Sequence, residues 1–191
     1  MEEGKIDAVS SNEVESASSK NVFIVHGRDH EPLKELKAML TGFGLNPIVL
    51  HEKASGSRTI VEKLEKYSNV GYAFVILTPD DIGGKEEEFK SALEDMVSGT
   101  MDFEDVLGEE LNYRARQNVI LEFGYFMGLL ERDKVCCLYK GGVELPSDMQ
   151  GIVYIPFKDS IEEVRDMIIK ELKEAGYEIK KTSRETKYLE V

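Results

Sequence analysis

The sequence predicts an α/β protein with an open, five-stranded parallel sheet that carries helices on both faces. Two observations favour this fold. Five short apolar runs have the length of strands buried on both faces, and segments with apolar residues at helical spacing are interspersed among them. Strands joined in this way form parallel sheets with right-handed crossovers. We expect the flavodoxin-like strand order 2-1-3-4-5, in which ligands bind beyond the carboxyl ends of the strands, near strand one.

Local signals set the ends of individual elements. Gly44 suits the left-handed residue that ends a helix. Ser160 and Glu163 form a capping-box pattern that opens the last helix, and Gly176 closes it. The acidic connection from 80 to 112 is long enough to be either functional or mobile. In chain order the sequence predicts strand 22–25, helix 31–43, strand 47–50, helix 60–67, strand 72–78, a short helix at 86–96, helix 113–130, strand 135–139, strand 152–156 and helix 161–172.

One domain is expected at residues 21–177, between a flexible polar leader at 1–20 and a charged tail at 178–191. No apolar run reaches the roughly 20 residues that span a bilayer, and the first residues lack the pattern of a secretion signal. A cytoplasmic location without membrane attachment is therefore predicted. Cys136 and Cys137 are neighbours in an apolar strand and point to opposite faces, so we expect buried thiols rather than a disulfide or a metal site.

Composition and missing motifs narrow the function. The chain has 24 Lys and Arg against 37 Asp and Glu, and its net charge of −13 disfavours nucleic acids and anionic membranes as partners. A locally basic cleft still permits a nucleotide ligand. Neither a Gly-x-Gly-x-x-Gly turn after the first strand nor a P-loop occurs, which argues against a dehydrogenase or a P-loop NTPase. A phosphorylated receiver domain shares the fold, but here the first strand ends in His-Gly-Arg-Asp rather than paired acids.

Glu122 is the only charged residue in an apolar stretch that runs from Gln117 to Leu130. Burial of an unpaired carboxylate is costly, so such a group finds a partner, shifts its pKa or lies at the wall of a pocket. Asn118, Glu122 and Tyr125 share one face of the predicted helix, beside the stripe that faces the core. We therefore expect Glu122 at the margin between core and cleft. A structural carboxylate, paired with a buried Arg or with backbone amides, is the alternative.

Further candidates for substrate binding lie at the same edge of the sheet. Arg28 follows the first strand, and its planar fork suits an anion, although a surface ion pair would explain it equally well. Asp29 precedes a helix and is also a natural N-cap. A histidine in a strand-exit turn, such as His26, is commonly structural. The remaining candidates are Gly27 in the same turn, Ser55 and Gly56 in a polar loop, and Thr78 at the end of the third strand.

Two phrases carry a family resemblance: Val-Phe-Ile-Val-His-Gly-Arg-Asp at 22–29 and Arg-Gln-Asn-Val-Ile-Leu-Glu-Phe-Gly-Tyr-Phe at 116–126. They resemble the prokaryotic TIR (Toll/interleukin-1 receptor) domains of antiphage effectors, including those fused to STING-like sensors. The resemblance covers residues 21–177. Many TIR domains cleave NAD with an essential glutamate on the third helix, and Glu122 aligns with it. Enzymatic TIR domains of plants and several bacteria carry Trp four residues earlier, whereas this subfamily has Asn, as at Asn118.

The resemblance implies an NAD+ hydrolase or ADP-ribosyl cyclase that releases nicotinamide and forms ADP-ribose or a cyclic isomer, in antiphage defence or signalling. NAD+ is then the substrate, and no metal or separate cofactor is implied. In TIR domains the loop that corresponds to 54–58 reaches a neighbouring subunit, so self-association through TIR–TIR contacts is expected. Two alternatives stay open: a non-catalytic TIR module that acts as a scaffold, and a nucleoside deoxyribosyltransferase-like enzyme, which shares the fold and a catalytic carboxylate.

Overall fold

A computed structural model describes residues 20–52, 59–109, 111–148 and 151–180. Most of the expected leader and tail, and the candidates Ser55 and Gly56, therefore lie outside the described residues. The strands are β1 (Asn21–His26), β2 (Asn46–Val49), β3 (Tyr72–Leu77), β4 (Asp81–Gly83), β5 (Asn112–Arg114), β6 (Val135–Lys140), β7 (Val143–Glu144) and β8 (Val153–Phe157). The α-helices are α1 (His30–Gly42), α2 (Ile60–Tyr67), α3 (Glu86–Ser98), α4 (Phe103–Glu109), α5 (Gln117–Leu130) and α6 (Arg165–Glu174), and short 3₁₀ turns cover Leu50–Glu52, Arg132–Lys134 and Ile161–Val164.

The main sheet confirms the predicted fold class. Its five strands are all parallel and lie in the order β2-β1-β3-β6-β8, which is 2-1-3-4-5 when these strands are counted along the chain. The central strand β3 is buried at every position, because helices cover both of its faces. The carboxyl ends of β1 and β2 therefore open on the same edge of the sheet, where the chain turns towards α1 and α2.

Alternate side chains of each strand feed two apolar layers. Val22 and Ile24 of β1 pack in the layer beneath α1 and α6, whereas Phe23 and Val25 pack in the layer beneath α2 and α5. Both layers consist of side chains with almost no exposure to solvent. The helices are thus fixed to the sheet by burial of apolar surface, and α5 is held by Val119, Phe123 and Phe126.

The helix ends agree with the predicted signals. Gly44 has a φ of 85° just after α1, and Gly176 has a φ of 86° just after α6. The capping box is present at Ser160, whose side chain accepts from the backbone of the first turn while Glu163 reaches back. It opens a 3₁₀ turn that leads into α6 rather than the α-helix itself. Cys136 and Cys137 are free and buried, as expected.

The region before Glu122 differs from the prediction. The sequence predicts a helix from Tyr113, but residues 112–114 form β5, which pairs antiparallel with β4 and parallel with β7 in a second sheet of three strands. The helix begins at Gln117, because Arg116 is extended and its carbonyl accepts from the amides of Val119 and Ile120. The acidic connection contains α4 as well as the expected α3. Among the described residues, no helix is both long and apolar enough to cross a bilayer.

Candidate active site

A cavity of about 440 Å³ lies at the carboxyl ends of β1 and β2, beside the first two turns of α5. Its volume falls within the range of small-molecule sites, roughly 300–1,000 Å³. The position is the one expected for a ligand in a parallel sheet of this order, next to strand one. The lining comprises Ile24, His26, Gly27, Arg28, His30, Leu50, His51, Ile60, Lys63, Arg116, Asn118, Val119 and Glu122.

Glu122 lies half-buried at the wall of this cavity, one helical turn after Asn118. Burial raises the pKa of its carboxyl from 4.5 to about 7, and the positive charge of Arg116 opposes this only in part. No described residue forms a hydrogen bond or salt bridge with the Glu122 carboxylate. The paired structural role that the sequence left open is therefore not seen within the described residues, and the carboxyl is available to a ligand.

The turn after β1 brings Gly27 and Arg28 to the cavity. The Asp80 carboxylate holds this turn, because one oxygen accepts from the Arg28 amide at 3.1 Å and the other accepts from the Thr78 hydroxyl at 2.9 Å. A Cβ atom at Gly27 would lie 1.8 Å from the Asp80 carboxylate, so the approach requires glycine. The Arg28 side chain is 65% exposed, and its ion pair with Asp81 is long at 3.9 Å. Its guanidinium can therefore turn to an anionic ligand at little cost.

Three histidine rings form one part of the cavity lining. His26 ends β1, His30 begins α1, and His51 lies in the 3₁₀ turn after β2. The nearest ring nitrogens of His26 and His51 are 2.7 Å apart. Burial is the main cause that lowers the pKa of His26, and the neighbouring histidines lower it further. The imidazole of His26 is therefore neutral near neutral pH.

Asp29 and Thr78 do not line the cavity. Asp29 is the N-cap of α1, where it accepts from the Glu31 amide, and it also accepts from the Lys140 ammonium at 3.1 Å. Its burial would raise the pKa of the carboxyl, but these hydrogen bonds outweigh that effect and the pKa is lowered. Thr78 is fully buried and donates to Asp80. Both residues thus support the turn around Arg28 from behind.

The structure brings together His26, Gly27, Arg28, Asn118 and Glu122, all of which the sequence nominates. It adds residues that sequence reasoning missed, chiefly His30, His51, Asp80 and Arg116. One signal could have found two of them: the chain has only three histidines, and each follows the predicted carboxyl end of a strand by one to five residues. No group of three or more His, Cys, Asp or Glu within the described parts of the chain is arranged to hold a metal ion.

Comparison with known proteins identifies the family to which this fold belongs. The profile of the family described as "CAP12/Pycsar effector protein, TIR domain" matches residues 21–159. The chain belongs to the CAP12/Pycsar effector TIR-domain family. The match includes both phrases that carried the resemblance in the sequence, and it confirms the prediction of a prokaryotic, antiphage-type TIR domain.

Two curated relatives extend the comparison. The TIR domain is 42% identical over 137 residues to "Uncharacterized protein YuaY" of Escherichia coli (strain K12), and the match covers 71% of this chain and 39% of YuaY. It is 34% identical over 154 residues to "Protein tirC" of Dictyostelium discoideum, and that match covers 77% of this chain and 69% of tirC. The chain therefore spans less than half the length of YuaY and about two thirds of tirC.

Proposed function

We propose that this TIR domain cleaves the bond between nicotinamide and ribose in NAD+, as an NAD+ hydrolase or ADP-ribosyl cyclase. One observation carries the proposal: Glu122 is a half-buried carboxyl without a partner among the described residues, and it lies at the wall of a nucleotide-sized cavity. Ionisable groups whose pKa is strongly shifted by burial are concentrated at functional sites, where the protein uses them. Membership of an effector family supports a role for the activity in antiphage defence or signalling.

The chemistry explains why a carboxylate is needed. Nicotinamide in NAD+ is a cationic leaving group and departs as a neutral base, so the step needs little acid assistance. The difficulty lies in the positively charged, oxocarbenium-like ribose that remains. The Glu122 carboxylate would hydrogen-bond to the ribose hydroxyls and place its negative charge beside this developing positive charge. A pKa of about 7 keeps a substantial ionised fraction at neutral pH, and a bound cationic nicotinamide increases that fraction.

Three basic side chains of the lining support a dinucleotide as the ligand. Arg28, Lys63 and Arg116 approach the cavity from the β1 turn, from α2 and from the start of α5. In a chain with a net charge of −13, this concentration of positive charge is local and favours an anionic ligand. Arg28 is the strongest candidate for the pyrophosphate, because it is exposed at the edge of the cavity and can form two parallel hydrogen bonds.

We also propose that the active form contains more than one copy of the chain. The outer face of α5 is uncharged and exposed: Leu121 is 62% exposed, Leu129 is 47% exposed, and Gly124 and Gly128 have open space around them. Copies with a strongly negative surface repel one another wherever acidic faces meet. A second copy can pack against this face of α5 without that repulsion, and the first turns of the same helix carry Asn118 and Glu122.

The test is nicotinamide release by the purified protein. We expect NAD+ to yield nicotinamide together with ADP-ribose or a cyclic isomer, and Glu122→Gln to lower the rate about 10²–10³-fold, because the amide keeps the shape and removes the charge. Glu94→Gln is the matched control, since Glu94 is an exposed carboxylate on α3 outside the cavity. Release of free base from nucleosides, with NAD+ left intact, would instead indicate a deoxyribosyltransferase-like enzyme. No turnover of either at high protein concentration would indicate a scaffold.

A further inference from the structure

All three histidines of the chain line the cavity that contains Glu122. They come from three separate elements, so the fold itself assembles the cluster. The ring centroids of His26 and His51 are 4.7 Å apart, and the His30 ring lies 5.3 Å from His26 and 5.7 Å from His51. Stabilisation of the ribosyl cation by a carboxylate does not use these rings, which leaves their part in the site open to assignment.

The hydrogen bonds fix where the proton of His26 lies. Its Nδ1 is 2.7 Å from the carbonyl oxygen of Gly27. A carbonyl oxygen only accepts, so Nδ1 carries the proton and donates. Since burial and the neighbouring histidines lower the pKa of His26, the neutral ring has a lone pair on Nε2. His26 is thus held in one tautomer by the backbone of the adjacent residue.

This tautomer of His26 determines which ring nitrogen of His51 donates to it. The lone pair on Nε2 of His26 faces Nδ1 of His51 at 2.7 Å, so Nδ1 of His51 must donate. The proton of a neutral His51 is then on Nδ1, and its Nε2 carries a lone pair. Both residues line the cavity, and His51 is exposed whereas His26 is half-buried. The chain from the Gly27 carbonyl through His26 to His51 therefore leaves one basic nitrogen, Nε2 of His51, on a residue that lines the site.

We infer that His51 is the general base that activates the nucleophile in the second half of the reaction, and that His26 is its positioning residue. The inference rests on the proposed cleavage of NAD+. In the first step the bond between C1′ and the nicotinamide nitrogen breaks, and its electron pair leaves with nicotinamide. In the second step a lone pair of water forms the new bond to C1′, and Nε2 of His51 takes the proton that this water loses. His51 then releases the proton to solvent, so NAD+ and water give nicotinamide, ADP-ribose and one proton.

A general base at His51 would affect two reactions of the ribosyl cation differently: hydrolysis by water and exchange with nicotinamide. Water must lose a proton when it attacks C1′, and therefore benefits from a base. A pyridine base such as nicotinamide attacks through a nitrogen lone pair and has no proton to lose. Exchange of labelled nicotinamide into NAD+ therefore requires Glu122 but not His51, whereas hydrolysis requires both. The ratio of hydrolysis to exchange reports on His51 in a way that a general loss of folding does not.

The experiment measures both reactions in one mixture of NAD+ and labelled nicotinamide. We expect His51→Gln to lower ADP-ribose formation about 10²-fold, the lower end of general-base contributions, while incorporation of label into NAD+ persists. Exogenous imidazole should restore hydrolysis to His51→Ala. His26→Phe should lower the ratio in the same direction, because His51 then loses the acceptor that fixes its tautomer. Glu94→Gln, at an exposed position on α3 outside the cavity, should leave the ratio of the two reactions unchanged.

Any of five outcomes would overturn the inference. An equal loss of hydrolysis and exchange in His51→Gln would show a structural or substrate-binding role, and retention of full hydrolysis would exclude His51 as the base. A fall of the ratio in Glu94→Gln as large as in His51→Gln would show that the effect is not specific to His51. Wild-type protein that catalyses neither reaction would overturn the proposed function, and the role of His51 with it. Exchange without wild-type hydrolysis would leave NAD+ cleavage standing and overturn the role of His51 alone.

Discussion

Replacement of Glu122 by glutamine should stabilise the protein, and the gain should depend on pH. The folded protein raises the pKa of this carboxyl from 4.5 to about 7 because the charged form is partly desolvated. Below pH 4.5 the carboxyl is neutral in both the folded and the unfolded state and costs nothing. As the pH rises from 4.5 to 7, the unfolded chain ionises while the folded protein holds its proton, so this contribution to stability is lost.

The size of this effect on stability follows from the rise in the pKa of Glu122. A tenfold change in proton affinity corresponds to about 1.4 kcal/mol, so a fully buried carboxyl with this pKa would cost the folded state ~3 kcal/mol above pH 7. Glu122 is only half-buried, and solvent screening reduces the expected value to about 1–2 kcal/mol. Glutamine carries no charge at any of these pH values and escapes the cost.

Urea unfolding of wild type and Glu122→Gln near pH 8 and near pH 5 measures this difference directly. We expect Glu122→Gln to be the more stable protein near pH 8 and the advantage to shrink towards zero near pH 5. Glu94→Gln, at an exposed position on α3, should change the free energy of unfolding by less than about 0.5 kcal/mol at either pH. A Glu122→Gln protein that is less stable near pH 8, or equally stabilised at both pH values, would refute the claim that the carboxyl is desolvated and unpaired.

Substitutions at three further positions test the phosphate contact, the turn after β1 and the contact between copies. Arg28→Ala should raise the KM for NAD+ by about 10–100-fold, the value of a charged hydrogen bond, and Arg28→Lys should recover only part of it; an unchanged KM would remove Arg28 from the phosphate site. Gly27→Ala should lower the free energy of unfolding by about 1–3 kcal/mol, because its methyl group displaces the Asp80 carboxylate from the Arg28 amide and from Thr78; thermal unfolding at the wild-type temperature would contradict this. Leu121→Lys should abolish any rise of specific activity with protein concentration and leave monomer stability within about 0.5 kcal/mol, and activity that still rises would exclude this face of α5 as the contact.

Much of the fold could be predicted because the main strands and helices have simple patterns of apolar residues. The strands of the main sheet are continuous apolar runs, and α1, α2 and α5 show apolar residues at the helical period. The second sheet escaped prediction for a physical reason. Its strands have two or three residues each and gain their hydrogen bonds from partners far along the chain, so no local alternation marks them. The start of α5 was misplaced for the same reason, since β5 takes up residues that otherwise read as helix.

In the site, too, features set by local sequence could be predicted, whereas contacts between distant parts of the chain could not. Glu122 and Asn118 could be placed at the cleft because helical periodicity relates them to the core stripe beside them. The contacts that organise the rest are tertiary: His51 meets His26 from 25 residues away, and Asp80 holds the Arg28 amide from 52 residues away. No spacing rule contains such pairs. Some of the residues that line the cavity could therefore be predicted by residue type and position, whereas the contacts between distant parts of the chain could not.

The most direct test of the account is nicotinamide release from NAD+ by wild type and by Glu122→Gln at equal, high protein concentration. Wild type should release nicotinamide at a rate that rises with pH through about 7, as the Glu122 carboxyl ionises. Glu122→Gln should be about 10²–10³-fold slower above pH 7, and the difference should shrink at lower pH, where the wild-type carboxyl is also uncharged. Glu94→Gln should follow the wild-type profile. Release by Glu122→Gln at the wild-type rate would contradict the central claim that this carboxylate stabilises the ribosyl cation.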